Sequence, residues 1–152
     1  MHSLPRILLA GLALLCLSAP LHAQDHPYAT TKELRGSGQI VREQKTLQPF
    51  DDLQIEHLHG EVTIEVGGTV ASADIRMDDN LRPYLRIEEE DGRLTLSFRD
   101  PEGNPYWVGK SAVTITLRTP TLKRLAHSSN SDVAVNGLAG ETFSLAKGPT
   151  AT

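Results

Sequence analysis

His57-Leu58-His59 is the sharpest chemical feature of the chain. On an extended strand, side chains two apart share a face, so the pair could chelate a cation, with Glu61 continuing the same row. A closed site needs a third or fourth ligand, and the position of His127 relative to the pair cannot be read from spacing. His57 and His59 are therefore only weak metal candidates against a solvated row at a strand end, and neither a metal nor another cofactor is expected. Tyr106-Trp107 follows a Pro/Gly/Asn loop, and Tyr84 also follows a proline. Their aromatic faces could form a platform for a sugar or peptide, while a Trp at a loop end more often caps a core. Asp78-Asp79-Asn80 lacks the spacing of a calcium loop and reads as an acidic turn. Asp132 alone cannot build a reaction centre, which needs convergent charged groups. No serine or cysteine nucleophile motif, phosphate loop or nucleotide fingerprint is present, so no catalytic residue is assigned.

The elements that would carry these residues are strands. Val62, Ile64 and Val66 alternate with Thr63 and Glu65, and Val113, Ile115 and Leu117 alternate with Thr114, Thr116 and Arg118. Such a period of two gives strands with one buried face, and no stretch carries a helical stripe. One hairpin can be read in register. Asp91-Gly92 supplies two positive-φ residues for a tight turn, pairing Glu90 with Arg93, Glu88 with Thr95 and Arg86 with Ser97. The other face then carries Leu85 with Phe98, Ile87 with Leu96, and Glu89 with Leu94. Glu88 and Glu90 follow as solvated strand residues.

Two repeats are visible. Asp52 to Gly68 lines up with Asp132 to Gly148, which sets Gly60 on Gly140 and Glu61 on Glu141. Within the tail, Lys147-Gly148-Pro149 falls where another coil would begin after His127-Ser128-Ser129. That spacing, about 20 residues, suits a short-coil β-solenoid. The tail reads as one coil plus the first turn of another, so the stack is expected to stop part-way. Its last strand would then leave an unpaired edge, with Thr142, Ser144 and Ala146 as the expected association residues.

Residues 1–23 have the form of a secretory signal peptide: Arg6, an apolar run from Ile7 to Leu17, and small-residue cleavage at Ala23. The bulky Leu15 before Cys16 argues against lipidation. Cleavage leaves no cysteine, so packing and backbone pairing alone must hold the exported chain. It also leaves 14 basic against 19 acidic residues, with no basic stripe that would suit nucleic acid. No transmembrane anchor is expected after cleavage. Residues 24–35 lack a period and read as a flexible leader, and residues 36–152 as one β-rich domain.

Three runs resemble the autotransporter adhesin head, or GIN-domain, family of bacterial exported proteins: GSGQIVREQKTLQPFDDLQI, DNLRPYLRIEEEDGRLTL, and VTITLRTPTLKRL followed by SDVAVNGLAG. The resemblance implies an all-β fold, a right-handed parallel β-helix-like solenoid behind a region with antiparallel hairpins. It also implies export beyond the inner membrane, to the periplasm, outer membrane or cell surface, and no established catalytic residues. The expected function is a non-enzymatic envelope or surface protein that binds an envelope polymer, a glycan or a protein, or associates with itself. The alternative is a periplasmic carbohydrate-active or carbohydrate-binding β-helix protein. Carboxylates clustered beside Lys or Arg in one groove would favour the enzyme, and scattered ones binding.

Overall fold

Val62 and Ile64 are buried while Glu65 beside them reaches solvent, and Val113, Ile115, Leu117 and Thr119 point inward with their neighbours outside. This alternation, repeated along the chain, gives an all-β protein. The computed structural model describes residues 31–139 and 142–148. The expected signal peptide with Cys16, most of the leader, the pairing of Gly140 and Glu141 with Gly60 and Glu61, and Pro149 fall outside these residues.

Twelve strands follow in order: β1 Lys32–Leu34, β2 Ile40–Thr46, β3 Asp52–Glu56, β4 Glu61–Val66, β5 Ser72–Asp78, β6 Leu85–Glu90, β7 Arg93–Phe98, β8 Tyr106–Val108, β9 Val113–Thr119, β10 Arg124–Ser128, β11 Asp132–Asn136 and β12 Ser144–Lys147. One five-stranded sheet has the order β12-β10-β3-β7-β6, the other β11-β4-β9-β5-β2, and β1 pairs with β8. Their inward faces share one hydrophobic cluster, with Leu53, Ile55, Leu94 and Leu96 from the first sheet and Val62, Ile64, Ile115 and Leu117 from the second. Each of these side chains contributes about 1.5–3 kcal/mol by leaving water.

The pairing is mixed. β7, β3, β10 and β12 run parallel, as do β9, β4 and β11. The strands β6, β5 and β2 are antiparallel to their neighbours and close the other end. The parallel pairing thus spans three rungs, β7 with β9, β3 with β4, and β10 with β11, followed by β12, and a solenoid running through the whole chain is not what the sheets show. The rung that comes first in sequence, β3 with β4, lies between the other two. The antiparallel region holds one true hairpin, β6–β7, because the partners β2 and β5 are separated by β3 and β4.

The hairpin register is the one read from sequence: Leu85 opposite Phe98, Ile87 opposite Leu96, Glu89 opposite Leu94 and Glu90 opposite Arg93. Asp91 at φ 46° and Gly92 at φ 79° make the turn. The carboxylate that broke the apolar pattern is satisfied, since Glu89 accepts the Gln48 N–H at 2.6 Å and pairs with Lys45 at 3.1 Å. The short spacing within the tail also holds, because His127 pairs with Lys147. In the longer echo Asp52 is aligned with Asp132, whereas in the sheets Asp52 pairs with Arg124 and Asp132 pairs with Glu61. Similar composition placed the echo; inward side chains set the register. Lys32–Leu34, expected in the flexible leader, forms β1 and pairs with Tyr106–Val108.

Candidate functional site

In the first sheet the strand register stacks equivalent side chains into columns. Leu94, Leu53, Leu125 and Leu145 form one inward column, and two residues further along the strands Leu96, Ile55, His127 and Lys147 form the next. The second column turns from apolar to polar as it passes from β3 to β10. Beyond it the strands end together, with Phe98 after Leu96, His57 after β3 and Ser129 after β10.

A groove of about 750 Å³ opens at these strand ends. Its floor is Phe98, with His57, His59 and His127 around it. The loop after β7 supplies Arg99, Asp100 and Asn104, β8 supplies Tyr106, and the β12 end supplies Lys147. The volume lies within the range of small-molecule sites. Among the described residues one carboxylate, Asp100, lines it. Arg99 reaches Glu56 at 3.6 Å, and no ion pair of Lys147 is seen among the described residues.

The two histidines do not share a strand face as expected. They lie in the connection after β3, where His57 takes φ 51° and exposes its ring, Leu58 between them is buried, and His59 is half-buried. Gly60 completes this corner at φ 101°, where a Cβ would lie 2.3 Å from the Val113 carbonyl oxygen. Burial, and then the neighbouring His57, hold the His59 imidazole below its usual value. All three line the groove, yet among the described residues no group of three or more His, Cys, Asp or Glu side chains could hold a metal ion. His127 Nε2 lies 3.2 Å from the buried Ser131 hydroxyl.

Tyr106 and Trp107 are separated by the strand they share. Tyr106 is half-buried in the groove wall and meets Tyr84 edge to face, with centroids 5.7 Å apart. Burial raises its phenol above the ordinary value, with the Asp100 carboxylate adding to the effect. Trp107 points the other way, 50% exposed, and so neither joins the platform nor caps the core. Successive strand residues face opposite sides, and the sequence reading paired them by adjacency alone.

Asp78-Asp79-Asn80 serves the backbone. The buried Asp78 carboxylate accepts the Gly38 N–H at 2.8 Å and the Ala112 N–H at 2.6 Å, and Asn80 bonds Ser37 N–H and the Arg35 carbonyl. Asp132 stands exposed at the start of β11 beside Glu61. Missed by sequence reasoning were Arg99, Asn104 and Lys147 as groove residues. Lys147 carried a signal, its place one coil after His127, while the other two sit in a loop without a pattern.

The backbone groups of the residues expected at an outward edge, Ser144 and Ala146, face inward. Among the described residues β12 pairs with β10 alone, and the Ser144 N–H donates inward to the Lys123 carbonyl at 2.9 Å, the Gly148 N–H to His127 at 2.8 Å. By alternation Ala146 also faces β10, and Leu145 and Lys147 turn their N–H and C=O groups outward. Thr142 precedes the strand. The outward groups are therefore those of Leu145 and Lys147, not of Ser144 and Ala146.

No curated protein matches the chain. Among solved structures, it is similar to a putative adhesin from Parabacteroides merdae, with 21% identity and a TM-score of 0.63 over 77% of this chain and 47% of that one. A putative adhesin from Bacteroides fragilis matches at 18% identity and TM-score 0.62, over 74% and 51% of the two chains. A putative lipid binding protein from Parabacteroides distasonis matches at 19% and 0.56, over 67% and 44%. The chain spans about half the length of these solved chains, and at such identities the likeness shows the fold. The family model described as "Putative auto-transporter adhesin, head GIN domain" matches residues 49–148, about two thirds of the chain. The chain belongs to this adhesin-head GIN-domain family.

Proposed function

We propose that this chain is a non-enzymatic, exported envelope or surface protein whose stacked rungs present a self-association surface at the β11–β12 end. The three parallel rungs form part of the right-handed β-helical stack that the family resemblance implies. One observation carries the reading. The inward column Leu94, Leu53, Leu125, Leu145 runs from 0% exposure through 3% at Leu125 to 65% at Leu145. Among the described residues Leu145 is a core-column side chain left uncovered, beside outward N–H and C=O groups of Leu145 and Lys147. Such an edge pairs readily with another strand, and a strand from a second copy would cover Leu145 as β12 covers Leu125. Asp100, the single carboxylate in the groove among the described residues, supports binding over carbohydrate chemistry, which needs convergent acids.

Sedimentation of the purified chain tests this. Concentration-dependent oligomers that disappear in Leu145→Asp are expected, while a monomer at all concentrations removes self-association. Export is tested separately by mass measurement of the mature N-terminus, expected at Gln24; a chain retaining Met1 or acylated at Cys16 contradicts it.

A further inference from the structure

The polar turn of the second inward column is not a packing solution. Leu96 and Ile55 are fully buried in it, whereas His127 is half-buried and Lys147 exposed, although the neighbouring column stays leucine through Leu145. A local break in an otherwise consistent apolar pattern marks a place where function outweighs packing. The break coincides with the groove, which Tyr106 lines as well.

We propose that the groove binds the acidic unit of a glycan, a uronic acid or similar sugar carboxylate. The Tyr106 ring packs against the sugar ring, and Lys147 and His127 face the carboxylate. Three features select this class. A half-buried tyrosine offers an apolar face with a polar tip, which suits a sugar ring. Lys147 supplies a cation without an ion pair among the described residues, in a chain of net charge −4. Asn104, Ser129 and the imidazoles supply donors and acceptors for hydroxyl groups. Arg99 is partly engaged by Glu56, and Asp100 disfavours an anion on the loop side, which places the carboxylate toward β10 and β12. This rests on the reading of the chain as a binding protein of the envelope, but not on its self-association.

Calorimetric titration of the purified chain with trigalacturonate, maltotriose and inorganic phosphate tests the assignment. Trigalacturonate should bind, and Lys147→Met should weaken it about tenfold, the size of one lost charge-assisted contact. Tyr106→Leu should weaken it comparably with the fold intact by circular dichroism; if that variant unfolds, Tyr106→Phe should retain binding, because the ring is what packs. Leu145→Asp, which targets association, should leave it unchanged. Equal binding of maltotriose and trigalacturonate overturns the charge assignment, and phosphate binding as tightly as trigalacturonate overturns the sugar. No binding of trigalacturonate by a folded chain overturns the groove site while leaving self-association standing.

Discussion

Gly92 and Glu89 sit within one turn of each other and owe their places to different physics. Gly92 occupies φ 79°, where a β-branched side chain is strained, whereas Glu89 holds the Gln48 N–H from a partly screened position. Gly92→Val is expected to cost about 1–2 kcal/mol or more, and Glu89→Gln about 1 kcal/mol or less. Thermal melts check the order, and equal melting temperatures reject the hairpin as drawn. His59 gives a pH prediction. Its folded value is lowered by burial and by His57, so the unfolded chain takes up the proton first as pH falls. Stability from this group is full above about pH 6.5 and declines as pH drops through the lower folded value. Urea midpoints should therefore fall less between pH 7 and 5 in His59→Gln than in the parent chain; parallel slopes contradict it. At this scale Asp91-Gly92 was legible because the turn dictates its residues. The His57 ring direction was not, because its positive φ follows from the corner that Leu58 and Gly60 make against β9.

The strand β12 shows how an element can be foreseen and still be turned the wrong way. Its spacing from β10 was written in the sequence, because Lys147-Gly148 falls one coil after His127-Ser128, and His127 pairs with Lys147. Which amides face outward was not, since a one-residue shift exchanges the two edges while leaving the spacing intact. Ser144→Pro should therefore detach β12 by removing the bond to Lys123, whereas Leu145→Pro removes only an outward donor. Amide exchange of Ala146 and Gly148 reads the difference: fast in Ser144→Pro and slower in Leu145→Pro. Similar rates in both would mean that β12 is not paired as described. The spatial order of the rungs was illegible for another reason. Nothing local in β3 states that it lies between β7 and β10, because the first inward column is Leu on β7, β3, β10 and β12 alike and each pairing satisfies that pattern.

For the described residues as a whole, the two ends of the sheets differ. The antiparallel strands β6, β5 and β2 close one end of the two sheets, while at the other the core columns run out to Leu145 on β12 and the half-buried Val133 and Val135 on β11. Family membership matches this architecture, and the groove lies at the C-terminal ends of the first sheet's parallel strands, with Lys147 in its lining and Leu145 outside it. The central claim is that the β12 edge accepts a strand from a second copy. Backbone amide exchange at Leu145 and Lys147, followed across protein concentration, measures this directly. Protection of these two amides that rises with concentration, while Ser144 and Gly148 change little, is the predicted result. Fast exchange of Leu145 and Lys147 at every concentration, in a chain that remains folded, would contradict it.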